Sequence, residues 1–161
     1  MKCTPLLSAA VLLAIACFTG FGQTVPCICP IHGKTCADIT GDFGPRKHPV
    51  LNIVKEHEGV DFDVPVGTPV VATARGRVAV AGPKDGYGLE VIVAHGRGYR
   101  TLYAHLSRLA VAQGASVKQG EVIAYSGRSG LVYTPHLHYE VMKDGKNVDP
   151  KQYIGSTSHQ Q

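Results

Sequence analysis

Residues 89–105 read LEVIVAHGRGYRTLYAH, and their alternation decides the fold. Leu89–Ala94 and Tyr99–His105 are runs rich in β-branched and aromatic residues on either side of Gly96-Arg97-Gly98. Two such runs joined by a short Gly-containing loop predict a β-hairpin. The same punctuation extends in both directions. Val70–Ala74 and Arg77–Ala81 flank Arg75-Gly76, and Glu121–Ser126 follows Gly114 and Gly120. Leu137–Met142 and Asn147-Val148 flank Lys143-Asp144-Gly145-Lys146, a second hairpin. Only Leu106–Gln113 has helical spacing. The pattern predicts a mostly β domain over residues 39–153.

Composition agrees. The 161-residue chain has room for one ordinary domain. It is 44% hydrophobic and 17% charged, so it can bury a core. Its 19 Gly suit many turns between short strands better than long helices. Net charge is +4 with scattered Lys and Arg and a pI of about 8.8. A nucleic-acid binder would concentrate that charge in a stripe, so none is expected. An anionic polymer surface remains compatible.

The N-terminus reads as an address. Leu6–Phe18 is almost wholly apolar, too short to span a bilayer and of signal-peptide length. Residues 1–16 are therefore expected to be removed on export. Leu13-Ala14-Ile15-Ala16-Cys17 is similar to a bacterial lipoprotein box, with Ala14 where Leu is usual. Cys17 would then carry an outer-membrane lipid anchor. Ordinary cleavage after Ala16 or near Gly22 is the alternative. Residues 17–38 read as a Cys- and Pro-containing linker, and 154–161 as a loose polar tail. Cys27, Cys29 and Cys36 crowd into that linker. A local disulfide is the first reading, free or inter-chain thiols the second. A metal knuckle with His32 comes last, because the spacing matches no standard zinc pattern.

The chemistry lies in the histidines. His57-Glu58-Gly59-Val60-Asp61 sets an imidazole and a carboxylate four residues apart. His105 ends one predicted strand, and His136-Leu137-His138 starts another. Strand alternation puts His136, His138 and Glu140 on one face. A catalytic zinc takes three protein ligands of this kind and leaves one position open. Two His and one Asp leave the site net positive, so it stays electrophilic. Each fragment alone is a common structural pattern; only their combination points to a metal site.

In context, the chain from Ile39 to Pro150 resembles the zinc metalloendopeptidase family of lysostaphin and LytM, which cut peptidoglycan peptides. The matching pieces are Phe43-Gly44 with Arg46 and His48-Pro49, HEGVDF (57–62), VGTPVVAT (66–73), GRVAVAG (76–82), GYG (86–88), GYRTLYAHLS (98–107), VKQGEVIAYSG (117–127) and PHLHYEV (135–141). The resemblance implies a compact antiparallel β-sheet or sandwich domain with an open groove. It implies one zinc per domain, held by His57, Asp61 and His138, and a catalytic pair, His105 and His136. Of these, His136 is expected to be the base and His105 the oxyanion stabiliser or proton donor.

Departures from the family pattern are Thr134 in place of a Gly and the bulky loop Gly130-Leu131-Val132-Tyr133. Substrate preference is where these matter, and Tyr133 either reaches the cleft or packs within its loop. Asp63 is either an orienting partner of His57 or solvent-exposed. His48, His95, His32 and His159 are expected bystanders. Only a short arm precedes the domain, so neither an inhibitory prodomain nor an added wall-binding domain is expected.

The expected function is an exported zinc endopeptidase acting on peptidoglycan cross-links as a monomer. A D,D-endopeptidase is the default, periplasmic, outer-membrane-anchored or secreted. A catalytically silent activator of another wall hydrolase is the alternative. A lipoyl- or biotinyl-carrier module, suggested by VAQGASVKQGEVI (111–123), lacks the lysine it needs at a hairpin tip.

Overall fold

A computed structural model describes residues 24–47 and 53–155. The expected leader, Cys17, His48, His159 and residues 156–161 lie outside the described residues. Eleven strands carry the fold: β1 (Gly44–Lys47), β2 (Val54–His57), β3 (Val60–Phe62), β4 (Pro69–Val71), β5 (Gly76–Lys84), β6 (Gly88–Gly96), β7 (Tyr99–Leu109), β8 (Ser116–Val117), β9 (Val122–Ser126), β10 (Leu137–Lys143) and β11 (Lys146–Val148). Two short 3₁₀ turns, Cys36–Asp38 and Pro150–Gln152, complete it, and no α-helix occurs among the described residues. Every pairing is antiparallel. Nine strands form one sheet, ordered β11-β10-β7-β6-β5-β8, with β3 on β10 and β9 joining β4 to β7. β1 and β2 form a separate hairpin.

The expected hairpins form. β6 and β7 pair across a turn in which Gly96, Arg97 and Gly98 all take positive φ. β10 and β11 pair across Asp144-Gly145, both also at positive φ, as a two-residue turn between right-twisted strands requires. Side chains on the inner faces of β3, β6, β7, β9 and β10 make the core. Phe62, Tyr103, Leu106, Ile123, Leu137 and Tyr139 are its largest fully buried members. Each buries roughly 1.5–3 kcal/mol of apolar transfer free energy, more for the aromatic rings.

Two expectations are corrected. Leu106–Gln113 is not helical: β7 runs on to Leu109, where Leu106, Arg108 and Leu109 pair with Ser126, Tyr125 and Ala124 of β9. Pairing with a neighbouring strand overrides a local apolar spacing that fits a helix. The three cysteines are free thiols, not a local disulfide. The Cys27 sulfur accepts from the Gln119 amide, and the Cys36 thiol turns to the carbonyls of Lys151 and Ile154. Residues 24–38, the described part of the segment expected to be a linker, pack on the domain: Ile31 joins the core, and the Val71 amide donates to the Pro30 carbonyl at 2.9 Å. Ile154 is buried beside it.

His95 is a structural histidine, as expected. It is buried, with Nδ1 donating to the Arg75 carbonyl at 2.8 Å. Its Nε2 lies 2.7 Å from the Thr101 hydroxyl, which continues through Tyr103 and Thr73 to Tyr139. Burial lowers the His95 pKa below its usual value. The unfolded chain, with an ordinary value of about 6.5, then binds more protons below that pH than the folded chain. The stability owed to neutral His95 is present above about pH 6.5 and is lost as pH falls through the lowered folded value. Thermal melts of wild type and His95→Asn at pH 7.5 and 5.5 should show a smaller drop in Tm on acidification for the variant.

Candidate metal centre

Register builds the site. Asp61 of β3 and His138 of β10 are directly opposed, and His138 is opposed on its other side by Ala104 of β7. Gly59 lets the tight turn between β2 and β3 lie against β10, since a Cβ there would fall 2.3 Å from the Tyr139 carbonyl oxygen. That close approach carries His57, at the end of β2, to the same spot. Gly41 serves Asp61 similarly: a Cβ would meet its carboxylate at 2.3 Å.

The three side chains converge. His57 Nε2 lies 3.1 Å from His138 Nδ1 and 3.2 Å from Asp61 Oδ1, and His138 Nδ1 lies 2.9 Å from the same oxygen. Ligands in tetrahedral zinc sites, at bond lengths near 2.0–2.1 Å, stand about 3.3 Å apart. A small cation therefore fits among these atoms with little adjustment. All three residues are buried.

Their remaining polar atoms are tied back. His57 Nδ1 donates to the Asp42 carbonyl at 2.6 Å, and His138 Nε2 donates to Glu140 Oε1 at 3.0 Å. Arg46 Nη1 donates to Asp61 Oδ2 at 2.9 Å. Metal-binding imidazoles show this arrangement, the far nitrogen fixed by a carbonyl or carboxylate so that the near one is bare. Burial opposes ionisation of Asp61, but hydrogen bonds from His138 and His57 outweigh it and hold the carboxyl well below its usual range. Burial likewise opposes a charge on His138, yet Asp61 and Glu140 push it up to about 9. The two carboxylates that draw a proton to His138 would also attract a metal cation, which must displace the proton on Nδ1.

His105 and His136 stand at the same groove. β7 changes partner at His105: Ala104 pairs with β10, and Leu106 pairs with β9. His105 takes φ +59°, and its amide donates to the Tyr87 carbonyl at 2.9 Å. Its Nδ1 donates to the Ser129 carbonyl at 2.9 Å. Burial and the neighbouring His136 lower its pKa to about 4. His136 is bridged to Gly127 just before β10, with Nδ1 donating to the Thr134 carbonyl at 2.9 Å and Nε2 3.9 Å from Asp61 Oδ1. The two rings meet edge-on with centroids 4.8 Å apart. All five residues singled out in the sequence thus come together.

The groove has a volume of about 560 Å³. Tyr133 lines it and is exposed, so it reaches the cleft. Asp63 is exposed, and the Asp42 carbonyl, which no side-chain pattern marks, takes the orienting part considered for it. Glu140, placed on the His138 face by alternation, is the partner of His138. Tyr87, half-buried among these groups, was marked only as the centre of GYG. Among the described residues no cysteine joins a metal-binding cluster.

The model of peptidase family M23 matches residues 55–150. The DD-carboxypeptidase/endopeptidase Mpg of Neisseria meningitidis is 46% identical over 112 residues, 70% of this chain and 26% of that protein. The peptidoglycan DD-endopeptidase ShyB of Vibrio cholerae is 40% identical over 117 residues, 72% of this chain and 28% of that protein. The chain thus spans about a quarter of the length of these curated relatives. A zinc-containing peptidase from Vibrio cholerae superimposes with a TM-score of 0.72 at 37% identity, covering 79% of this chain and 39% of that one. The catalytic domain of lysostaphin from Staphylococcus simulans does so at 0.68 and 32%, covering 73% and 92%. With a family model matched over most of the domain, the chain belongs to peptidase family M23.

Proposed function

We propose that this protein is an exported zinc endopeptidase that hydrolyses peptide cross-links of bacterial peptidoglycan, a D,D-endopeptidase by default. One observation carries the reading. Three buried ligand atoms face one another with their far atoms tied back, and two more imidazoles stand over them in an open groove. The names of relatives such as ShyB supply the substrate class. On this reading residues 1–16 direct export, and Cys17 anchors the domain to the outer membrane or is simply left after cleavage.

His57 Nε2, Asp61 and His138 Nδ1 would hold the zinc, and Arg46, Asp42 and Glu140 would keep them aimed. Bound there, zinc supplies a Lewis acid that polarises the scissile carbonyl and acidifies water. The protein supplies the proton handling. His105 and His136 each fix Nδ1–H on a backbone carbonyl, so each neutral ring offers a bare Nε2. Such a nitrogen takes a proton from the attacking water and, once protonated, donates to the oxyanion or the leaving amine. Burial keeps His105 neutral down to about pH 4, so it begins the cycle as an acceptor. It can serve as the oxyanion donor expected from the sequence only after taking a proton. The exposed Leu131 and Tyr133 form an apolar lip for the substrate peptide.

The test is mass spectrometry of soluble products after the zinc-loaded chain meets isolated peptidoglycan sacculi, with His138→Ala as control. Conversion of cross-linked muropeptides to monomers by the intact site alone supports the reading. Bound zinc without cleavage overturns it. His57→Ala, Asp61→Ala and His138→Ala should lose zinc, measured by elemental analysis, together with activity. His105→Gln and His136→Gln should keep zinc and lose roughly 10²–10⁴-fold in kcat. Zinc loss in His136→Gln would overturn the ligand assignment. Arg46→Met, which frees Asp61 Oδ2, should weaken zinc binding roughly 10- to 100-fold in a chelator competition.

A further inference from the structure

Tyr87 sits in the turn between β5 and β6, where its three parts meet three members of the site. Its hydroxyl donates to Glu140 Oε1 at 2.7 Å and lies 3.2 Å from Glu58 Oε2. The same Glu140 oxygen accepts the Nε2–H of His138 at 3.0 Å. Its ring stacks nearly parallel on His105, 13° between planes and 6.4 Å between centroids, and leans on His138 at 5.7 Å. Its carbonyl accepts the backbone amide of His105, the residue held at φ +59°.

The turn itself is locked. The Leu131 amide donates to the Gly86 carbonyl at 2.8 Å. Gly130 packs so closely on the turn that a Cβ there would fall 2.4 Å from the Gly86 oxygen. The neighbouring Ser129 carbonyl anchors His105 Nδ1. Tyr87 is thus fixed from behind while its side chain reaches both halves of the site.

We propose that Tyr87 is a positioning residue that couples the metal half of the site to the proton-handling half. This inference rests on the zinc endopeptidase reading. Through its hydroxyl, Tyr87 fixes Glu140 so that His138 keeps its proton on Nε2 and presents a bare Nδ1. Through its ring and carbonyl, it fixes the plane and backbone of His105, whose strained φ otherwise has a more relaxed alternative. The hydroxyl acts through Glu140 and the ring through His105, so the effect falls on zinc affinity and kcat more than on KM.

The two functions separate by substitution in the full chain. Zinc affinity is read by competition with a chromogenic chelator. Turnover is read on purified cross-linked muropeptide with zinc saturating, and folding is checked by thermal melting. Tyr87→Phe keeps the stack and frees Glu140. It should weaken zinc binding roughly 10- to 100-fold. Tyr87→Leu removes the stack as well, and should lower kcat roughly 10- to 100-fold, with a smaller change in KM. Because the hydroxyl acts through Glu140, Tyr87→Phe in a Glu140→Gln background should weaken zinc binding no further.

Wild-type zinc affinity in Tyr87→Phe, or additive losses in the double variant, overturns the metal half of the proposal. Wild-type kcat in a folded Tyr87→Leu overturns the other half. The chelator competition needs no turnover. If the wild-type chain binds zinc but cleaves no muropeptide, the endopeptidase reading fails, and the Tyr87–Glu140 coupling is still decided.

Discussion

The opposition of Asp61 and His138 across β3 and β10 is the constraint on which the site depends. A strand pair can slip only by whole residues, and a slip of one sends alternate side chains to the opposite face. Such a slip would bring the carboxylate into the core and Phe62 into the groove. The apolar residues flanking the site hold the register: Val60 and Phe62 on β3, and Leu137 and Tyr139 on β10, are all fully buried. The same alternation that builds the core therefore sets a carboxylate beside an imidazole, and the chemistry comes with the packing.

That juxtaposition is electrostatically costly unless a cation completes it. Asp61 and Glu140 are both buried, with His138 between them. Buried carboxylates are tolerated only when paired and hydrogen-bonded. Here Arg46 and the imidazoles partner Asp61, while Tyr87 and Asn147 partner Glu140. No buried side-chain polar atom among the described residues lacks a partner. The pairing is completed by His57 Nε2, His138 Nδ1 and Asp61 Oδ1 lying against one another. A structural salt-bridge cluster would have no reason to leave both ring nitrogens nearest Asp61 facing each other at 3.1 Å.

What could be read in the sequence was what repeats with the period of a strand or lies within a few residues. The hairpin at 89–105, the proposed ligand pair His57 and Asp61, and the His136, His138, Glu140 face are patterns of that kind. Backbone acceptors were not legible, because a carbonyl has no residue type: Asp42, Thr134 and Ser129 orient three imidazoles without any side-chain signature. Tyr87 was missed because its meaning lies in a contact to Glu140 that crosses 53 positions. Leu106–Gln113 misled because local apolar spacing cannot register a distant strand such as β9. The cysteines misled for the opposite reason. Crowding in sequence suggested a bond, while the fold turns Cys27 toward Gln119 and Cys36 toward the C-terminal carbonyls.

His105 joins the two halves of this reasoning. β7 could have run straight from Tyr99 to Leu109 with one set of partners, at no backbone cost. Instead it breaks at His105, taking a positive φ that side-chain-bearing residues rarely adopt, and exchanges β10 for β9. The break has two effects at once. It closes the core, because β9 is brought in to pair with Leu106 and Leu109 beyond it. It also rotates the imidazole out of the sheet's alternation, so that its ring faces His136 and His138 and its Nδ1 meets the Ser129 carbonyl. A regular strand would turn His105 to the same face as Tyr103 and Leu106 to the opposite one, whereas here Tyr103 and Leu106 both lie in the core and His105 faces the groove. The strain is local and single, held by the Tyr87 and Ser129 carbonyls, and it falls on the side chain to which the proposed mechanism assigns proton transfer.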